Sequence, residues 1–303
     1  MKRGYFGTAW RDVRTSPHWI RSLLLLALLA VVPVIGPLMV MGYAFGWSRD
    51  IAWAVRTPMP AHLRTALRSN LTCGLHVFVL CCVFIAAPVI LTLLFEILFD
   101  GGLAHWASQW RLFAPVNVDA VIHVTVTVVC YLFALTVLPF ILVGSMRTAI
   151  YGRLSAGFQI ARLWSTIRYR FSGLLRIAGI LGVLALAIVA VIAVYALLMG
   201  MISVLYSVGV MLTGGHVELS EILAGLVPLT LGSLPIPVYL VSVLTTFACV
   251  IIARALGYWT AQFDVPHWRG QDDPMPFEQH GVVAGAGGTV PPGGEQAGSG
   301  TGR

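Results

Sequence analysis

The sequence predicts an all-α fold, a polytopic membrane helix bundle with interfacial amphipathic helices. Composition is the first reason, because 58% of the 303 residues are hydrophobic and only 10% are charged, with a mean hydropathy of +0.87. Soluble domains carry about 25% charged residues. The second reason is that uncharged stretches exceed the roughly 20 helical residues needed to cross a bilayer. The third is that the basic residues cluster between those stretches, as they do in membrane proteins.

Five apolar segments are long enough to enter the membrane. They are residues 22–48, 75–99, 120–146, 177–206 and 222–257. They define a membrane domain over residues 22–263, preceded by a cytoplasmic surface helix at residues 1–21. After residue 263 the composition changes to Pro, Gly and polar residues, which cannot bury enough apolar surface to fold. Residues 264–303 are therefore predicted to form a flexible cytoplasmic tail.

The N-terminal segment is predicted to be a retained surface helix and not a cleaved signal peptide. Five basic residues precede an apolar stretch that is much longer than the apolar part of a signal peptide. Tyr5, Trp10 and Val13 recur at helical spacing, opposite Arg11 and Arg14.

The basic residues predict the orientation of the chain in a bacterial cytoplasmic membrane. Three segments are basic: the N-terminal segment, residues 49–68 with four Arg, and residues 144–176 with six Arg and no acidic residue. The positive-inside rule places all three in the cytoplasm, together with both termini. Residues 100–119 and 207–221 are poor in Lys and Arg and are predicted to be external.

The first apolar segment presents a conflict, because both of its flanks are basic although a simple span would place them on opposite sides. Pro33, Gly36 and Pro37 lie in its middle, and proline lacks the N–H donor of a continuous helix. We therefore predict a helix break at these residues and a re-entrant hairpin that returns to the cytoplasmic side. The alternative is a kinked full span with one basic flank exported.

Residues 152–171 are predicted to form a basic amphipathic helix on the inner leaflet. Apolar residues step at intervals of three and four, and polar residues take the other side. The lipid bilayer is the predicted partner, because each Arg near an anionic membrane surface gains about 1 kcal/mol. The predicted anionic-lipid surface consists of Arg153, Arg162, Arg168 and Arg170. The predicted role of this helix is topogenic and anchoring, and a lipid-sensing or partner-binding role is the alternative.

A motif near the beginning of the chain resembles that of a known family. It consists of aromatic, glycine and basic residues around the proline-broken run: Tyr5, Phe6, Trp10, Val13, Arg14, Gly42, Tyr43 and Arg49. This pattern over residues 1–60 resembles the DUF4013 family of bacterial multi-pass membrane proteins. The resemblance implies a multi-pass membrane architecture and brings no catalytic residues, because the family has no established activity.

A weak internal repeat accompanies this motif. Gly42-Tyr43 with Trp53 is matched, at identical spacing, by Gly257-Tyr258 with Trp268. Two related halves would produce such a pattern, and coincidence is the alternative.

One group of ionisable residues stands at the predicted external ends of two neighbouring segments. Two residues end the second segment and two begin the third, each pair four residues apart, so an antiparallel helix pair would bring them to a similar depth. This candidate polar pocket consists of Glu96, Asp100, Asp119 and His123. Snorkelling of the side chains to the interface is the alternative.

The sequence contains no metal-ligand spacing, phosphate-binding loop or nucleophile motif. We therefore predict no catalytic residues, no metal site and no cofactor, and nucleic acid is not a predicted partner. This favours a non-catalytic membrane component or assembly partner, which would bind another membrane protein or a second copy of the chain. A transporter or permease-like protein with Pro-broken helices is the first alternative, and a membrane lipid-modifying enzyme is the second.

Overall fold

The computed structural model describes residues 4–60, 67–98, 118–212, 228, 232–268, 270 and 272. Every regular element within these ranges is helical. The α-helices are α1 (Tyr5–Thr15), α2 (Trp19–Ala30), α3 (Ile35–Ala52), α4 (Leu67–Leu98), α5 (Val118–Tyr151), α6 (Ile160–Tyr169), α7 (Phe171–Leu212) and α8 (Pro235–Thr260). Short 3-10 helices cover Leu154–Phe158, Ala261–Phe263 and Val265–His267.

Four of these helices, α4, α5, α7 and α8, contain stretches long and apolar enough to cross a membrane. This confirms the predicted all-α polytopic membrane bundle. By contrast, α2 is apolar but has only 12 residues, or about 18 Å at 1.5 Å per residue. It is therefore too short to cross a hydrocarbon core of roughly 30 Å.

The first apolar segment is broken near its middle. Because α2 ends at Ala30 and α3 begins at Ile35, Pro33 lies in the connecting turn. Gly36 and Pro37 lie in the first turn of α3, where a proline is tolerated because the N–H groups have no intrahelical partner. Residues 22–48, which we predicted as one membrane-inserted segment, thus form two helices.

These two helices form a hairpin whose ends meet. Gly36 packs so closely against Leu29 and Ala30 that a Cβ at this position would clash with their backbone. At the open end, the backbone N–H of Met59 donates a hydrogen bond of 2.9 Å to Oγ of Ser16. The residues that precede α2 and follow α3 are therefore neighbours, so the chain enters the bundle and returns to the same end.

The buried core lies at this end of the bundle, which we call the core end. It is formed by α1, residues 53–60, residues 152–170 and residues 261–268, with the adjoining turns of the longer helices. Large side chains are buried here, among them Trp259, Leu163 and Leu174. Beyond the core end, α4, α5 and α7 extend with exposed apolar side chains, such as Tyr131 at 70% and Leu197 at 74% exposure.

Close contacts between backbones hold the helices together at the core end. Gly42 of α3 lies against the backbone of Asn70 in α4, and Gly257 of α8 lies against the backbone of Ser48 in α3. A Cβ at either glycine would clash with the facing carbonyl oxygen. The two glycines of the weak internal repeat therefore occupy equivalent positions, at helix crossings. The tryptophans of the repeat differ, because Trp53 is exposed and Trp268 is buried.

The segment predicted as one amphipathic helix over residues 152–171 is divided instead. A 3-10 helix ends at Phe158 and α6 begins at Ile160. The reason is tertiary: the carbonyl oxygen of Ala156 accepts a hydrogen bond from Nε of Arg147, and Gly157 packs against side chains of neighbouring helices. The predicted single helix was wrong at this point.

The first residues of the predicted tail are folded. Val265 is fully buried and Trp268 is 7% exposed, and the indole N–H of Trp268 donates to the carbonyl oxygen of Phe263 at 2.9 Å. These residues belong to the core end, so the prediction of a flexible tail starting at residue 264 was wrong for residues 264–268.

Candidate functional site

A buried arginine in α8 organises the polar interior of the core end. Arg254 is 1% exposed, and its guanidinium forms an ion pair of 3.0 Å with Oδ2 of Asp12 in α1. It also donates to the carbonyl oxygen of Trp47 at 2.9 Å and lies 3.9 Å from the centre of the Trp47 ring. A buried charge requires such partners, because an uncompensated one costs several kcal/mol.

The aspartate of this pair is shared between two residues of α8. The hydroxyl of Tyr258, one turn beyond Arg254, donates to Oδ2 of Asp12 at 2.5 Å. Asp12 is itself only 18% exposed. The network thus joins α1, α3 and α8, and Oδ2 of Asp12 accepts from both Arg254 and Tyr258. These contacts hold the surface helix α1 against the membrane helices α3 and α8.

A second buried arginine lies near the end of α5. Arg147 is 1% exposed and donates from Nη2 to Oε1 of Gln159 at 2.8 Å. Its guanidinium lies over the rings of Tyr151 and Trp268, at 5.3 and 5.8 Å from their centres. The amide of Gln159 in turn donates to Oδ1 of Asp272 at 2.6 Å. Arg147 therefore holds the segment that follows α8 against the start of α6.

The four arginines of the predicted anionic-lipid surface separate into two groups. Arg162 donates to the backbone carbonyl of Asp272, and Arg170 donates to the side chain of Gln262. Arg153 and Arg168 are exposed and make no hydrogen bond or ion pair with other described residues. Only this second pair presents its charge without a partner inside the described part of the chain.

A cleft of about 340 Å³ lies between the hairpin and α8. It is lined mainly by apolar side chains from the turn, α3 and α8, among them Val31, Pro37, Met41 and Val238. Its size falls within the 300–1,000 Å³ of typical small-molecule pockets. The sequence pattern located the helix break but gave no sign that α8 would close a cleft over it.

Three hydroxyl residues line this cleft: Ser242, Thr245 and Thr246. Thr245 is exposed, and the other two differ in their hydrogen bonds. Oγ of Ser242 donates to the carbonyl oxygen of Ala27 at 2.6 Å, which fixes α8 against α2. Thr246 is 1% exposed, and its Oγ1 has no hydrogen-bond partner among the described residues. A threonine hydroxyl can both donate and accept, so the buried hydroxyl of Thr246 has unused hydrogen-bonding capacity beside the cleft.

The predicted polar pocket lies outside the described residues. Asp100 falls in the undescribed segment, and the side chains of Glu96, Asp119 and His123 are likewise not described, although their backbones lie in α4 and α5. The pocket remains a prediction. Within the ranges that the structure describes, no group of three or more His, Cys, Asp or Glu is placed to hold a metal ion.

Comparison with protein families gives one result. Residues 25–199 match the family model DUF4013, described as a protein of unknown function, and this is more than half of the chain. The chain belongs to the DUF4013 family. No curated protein and no solved structure matches it. The DUF4013 region contains Arg147 and the helix break, whereas Asp12 and Arg254 lie outside it.

Proposed function

We propose that this DUF4013 protein is a non-catalytic component of a membrane-protein assembly and that it associates with a second copy through α7. The proposal rests on the exposure of α7. This helix has 42 residues, or about 63 Å at 1.5 Å per residue, twice the roughly 30 Å of the hydrocarbon core. Only 6% of its most apolar window is buried.

The exposed side of α7 carries a stripe of five small residues and one valine that supports close helix packing. These residues recur at intervals of three or four: Gly182, Ala185, Val189, Ala193, Ala196 and Gly200. All six are exposed, and a Cβ at Gly182 or Gly200 would meet no atom within 4 Å. The α7 stripe spans about 27 Å. Small residues allow two membrane helices to approach closely, and identical stripes match each other in a two-fold dimer.

The other side of α7 is already used within the chain. Leu184, Ile188 and Tyr195 are half-buried, and the Tyr195 hydroxyl lies 3.1 Å from Oγ of Ser233. At 100° per residue, this inner side is about 120° from the α7 stripe. Self-association would therefore leave the fold of the protomer unchanged.

The charge distribution supports a cytoplasmic location for the core end. The described parts of the three basic segments all lie at or beside the core end, as the positive-inside rule requires of cytoplasmic segments. We place the core end in the cytoplasm of a bacterial cell, with the unpartnered Arg153 and Arg168 facing anionic lipid. Each such residue gains about 1 kcal/mol near an anionic surface.

Two matched substitutions test the proposal. Ala193 lies on the α7 stripe, and Ala190 is equally exposed but lies about 100° around the helix. Ala193→Leu should weaken self-association about tenfold, a loss of about 1.4 kcal/mol, and Ala190→Leu should leave it unchanged. Energy transfer between labelled copies of the full chain in nanodiscs or liposomes measures this. A monomer at all densities, or equal effects of both substitutions, would overturn the proposal.

A transporter is the second candidate, and one observation favours it. The cleft opens at a helix break, and discontinuous helices form the binding sites of many transporters near the middle of the membrane. Substrate-dependent flux into vesicles containing the purified protein would support this candidate and count against a purely structural component.

A further inference from the structure

The cleft between the α2–α3 hairpin and α8 has the properties of a lipid-binding site. We propose that it binds one acyl chain of a membrane glycerolipid, whose ester carbonyl accepts a hydrogen bond from Thr246. Three features carry the inference: the position of the cleft in the bilayer, the apolar character of its walls, and the unpartnered hydroxyl at its inner end.

The position of Thr246 follows from its neighbour in α8. The ring of Phe247 lies 5.6 Å from that of Trp10, which lies 5.4 Å from that of Trp19. Trp10 is in the surface helix α1, and tryptophan side chains mark the membrane interface. Thr246 therefore lies at the depth where the ester groups of glycerolipids are found, just inside the headgroups.

From this depth the cleft leads into the hydrocarbon core. Val238, at its other end, lies eight residues before Thr246, or about 12 Å along the helix. Val31 and Val238 are each 42% exposed at this end, next to the turn between α2 and α3. A chain that starts at Thr246 can thus pass along the cleft and emerge among the bilayer lipids.

The energetics favour a lipid over an empty cleft. An apolar cleft that opens into hydrocarbon is filled by the acyl chains around it. The ester carbonyl adds a hydrogen-bond acceptor, which a plain hydrocarbon lacks. Thr246 is 1% exposed, and its hydroxyl has no hydrogen-bond partner among the described residues. A buried polar group of this kind is stabilised when a ligand supplies the missing partner. This makes the site selective for chains that carry a carbonyl oxygen near one end.

The chain offers a matched pair of substitutions for the test. Thr246→Val removes the buried hydroxyl and keeps the shape of the side chain. Thr245→Val makes the same change at a neighbouring residue that also lines the cleft but is exposed. A third variant, Ala30→Phe, fills the cleft from the hairpin side, because Ala30 lines it as well.

The experiment titrates the delipidated full-length protein with phosphatidylcholine in detergent and counts bound lipid by native mass spectrometry. We expect one tightly retained lipid per protomer, bound about five- to tenfold more weakly by Thr246→Val, as tightly as wild type by Thr245→Val, and not retained by Ala30→Phe. If Ala30→Phe does not fold, the two threonine variants decide. Equal affinities for the two threonine variants, or no retained lipid in the wild type, would overturn the inference.

This test is independent of self-association through α7. The Ala193→Leu variant should bind the lipid normally, and the Thr246→Val variant should associate normally. Failure of either proposal would therefore leave the other in place.

Discussion

Asp12 and Arg254 form an ion pair of 3.0 Å although 242 residues separate them in the chain. The pair fixes the N-terminal surface helix against the last membrane helix. Because Arg254 is 1% exposed and Asp12 18% exposed, the pair is shielded from most of the solvent. Removal of one partner would leave the other charge buried without its contact partner, which does not happen when a surface ion pair is broken.

The first prediction concerns this pair. Asp12→Asn should lower the free energy of unfolding by about 3 kcal/mol, because it removes the carboxylate in direct contact with the buried Arg254 guanidinium. Thermal unfolding of the purified protein in detergent measures the change. Asp264→Asn is the control, since Asp264 and its partner His267 are 58% and 73% exposed and exposed pairs contribute little. Similar losses in both variants would contradict a special role for the buried pair.

The second prediction concerns the helix crossing at Gly42. Gly42→Ala should destabilise the protein by about 1–3 kcal/mol, because the new Cβ would meet the backbone of Asn70. Gly179→Ala is the matched control in an open part of α7 and should stabilise the helix by up to about 1 kcal/mol. Unfolding midpoints in the same detergent compare the two. A neutral effect at Gly42 would mean that α3 and α4 are further apart than the structure places them.

The third prediction concerns Arg147. Arg147→Met should release residues 265–268 from the core end. The guanidinium lies over the Trp268 ring, and a methionine side chain cannot form the same planar contact. Hydrogen exchange of the corresponding peptide should become faster, whereas peptides of α3 should keep their protection. Arg168→Met serves as the control at an exposed position. Unchanged exchange at residues 265–268 would show that Arg147 does not hold this segment.

The fourth prediction concerns the hairpin and its orientation. Cysteines introduced at Gly4, Pro58 and Ser155, in a background lacking the native cysteines, should all be protected from an impermeant thiol reagent added outside intact cells. All three should react once the membrane is opened, because these positions belong to the core end. If the Pro58 position reacted from outside while the Gly4 position did not, the chain would cross the membrane between them.

Much of the architecture could be predicted from the sequence because the bilayer imposes simple rules. Segment length and the absence of charge located the long helices, and prolines lacking a donor located the break. The same rules ended the third segment directly before Arg147, however, and gave no sign that Arg147 and Arg254 are buried within continuous helices. Their partners are a carboxylate and carbonyl oxygens brought near by the tertiary fold. No local sequence pattern indicates such contacts.

The candidate site was even harder to predict from the sequence. Thr246 is one of many hydroxyl residues in apolar segments, and nothing around it in the sequence distinguishes it from Thr245. Only the packing of α8 against the hairpin buries one of the two and leaves the other exposed. Similarly, Val265 and Trp268 stand among prolines and polar residues, and Trp268 lies beside Arg147 and Tyr151, more than one hundred residues earlier in the chain.

The ion pair between α1 and α8 has a consequence for biosynthesis. At about 5–20 residues per second, the ribosome reaches Arg254 some 12 to 48 seconds after it has made Asp12. During that interval the Asp12 carboxylate lacks its ion-pair partner Arg254, and α8 does not yet cover Val13. The core end of a nascent chain therefore stays incomplete until α8 has been made, and the insertion of α8 is the event that closes the core. A prematurely terminated chain would retain most of its membrane helices and still fail to fold.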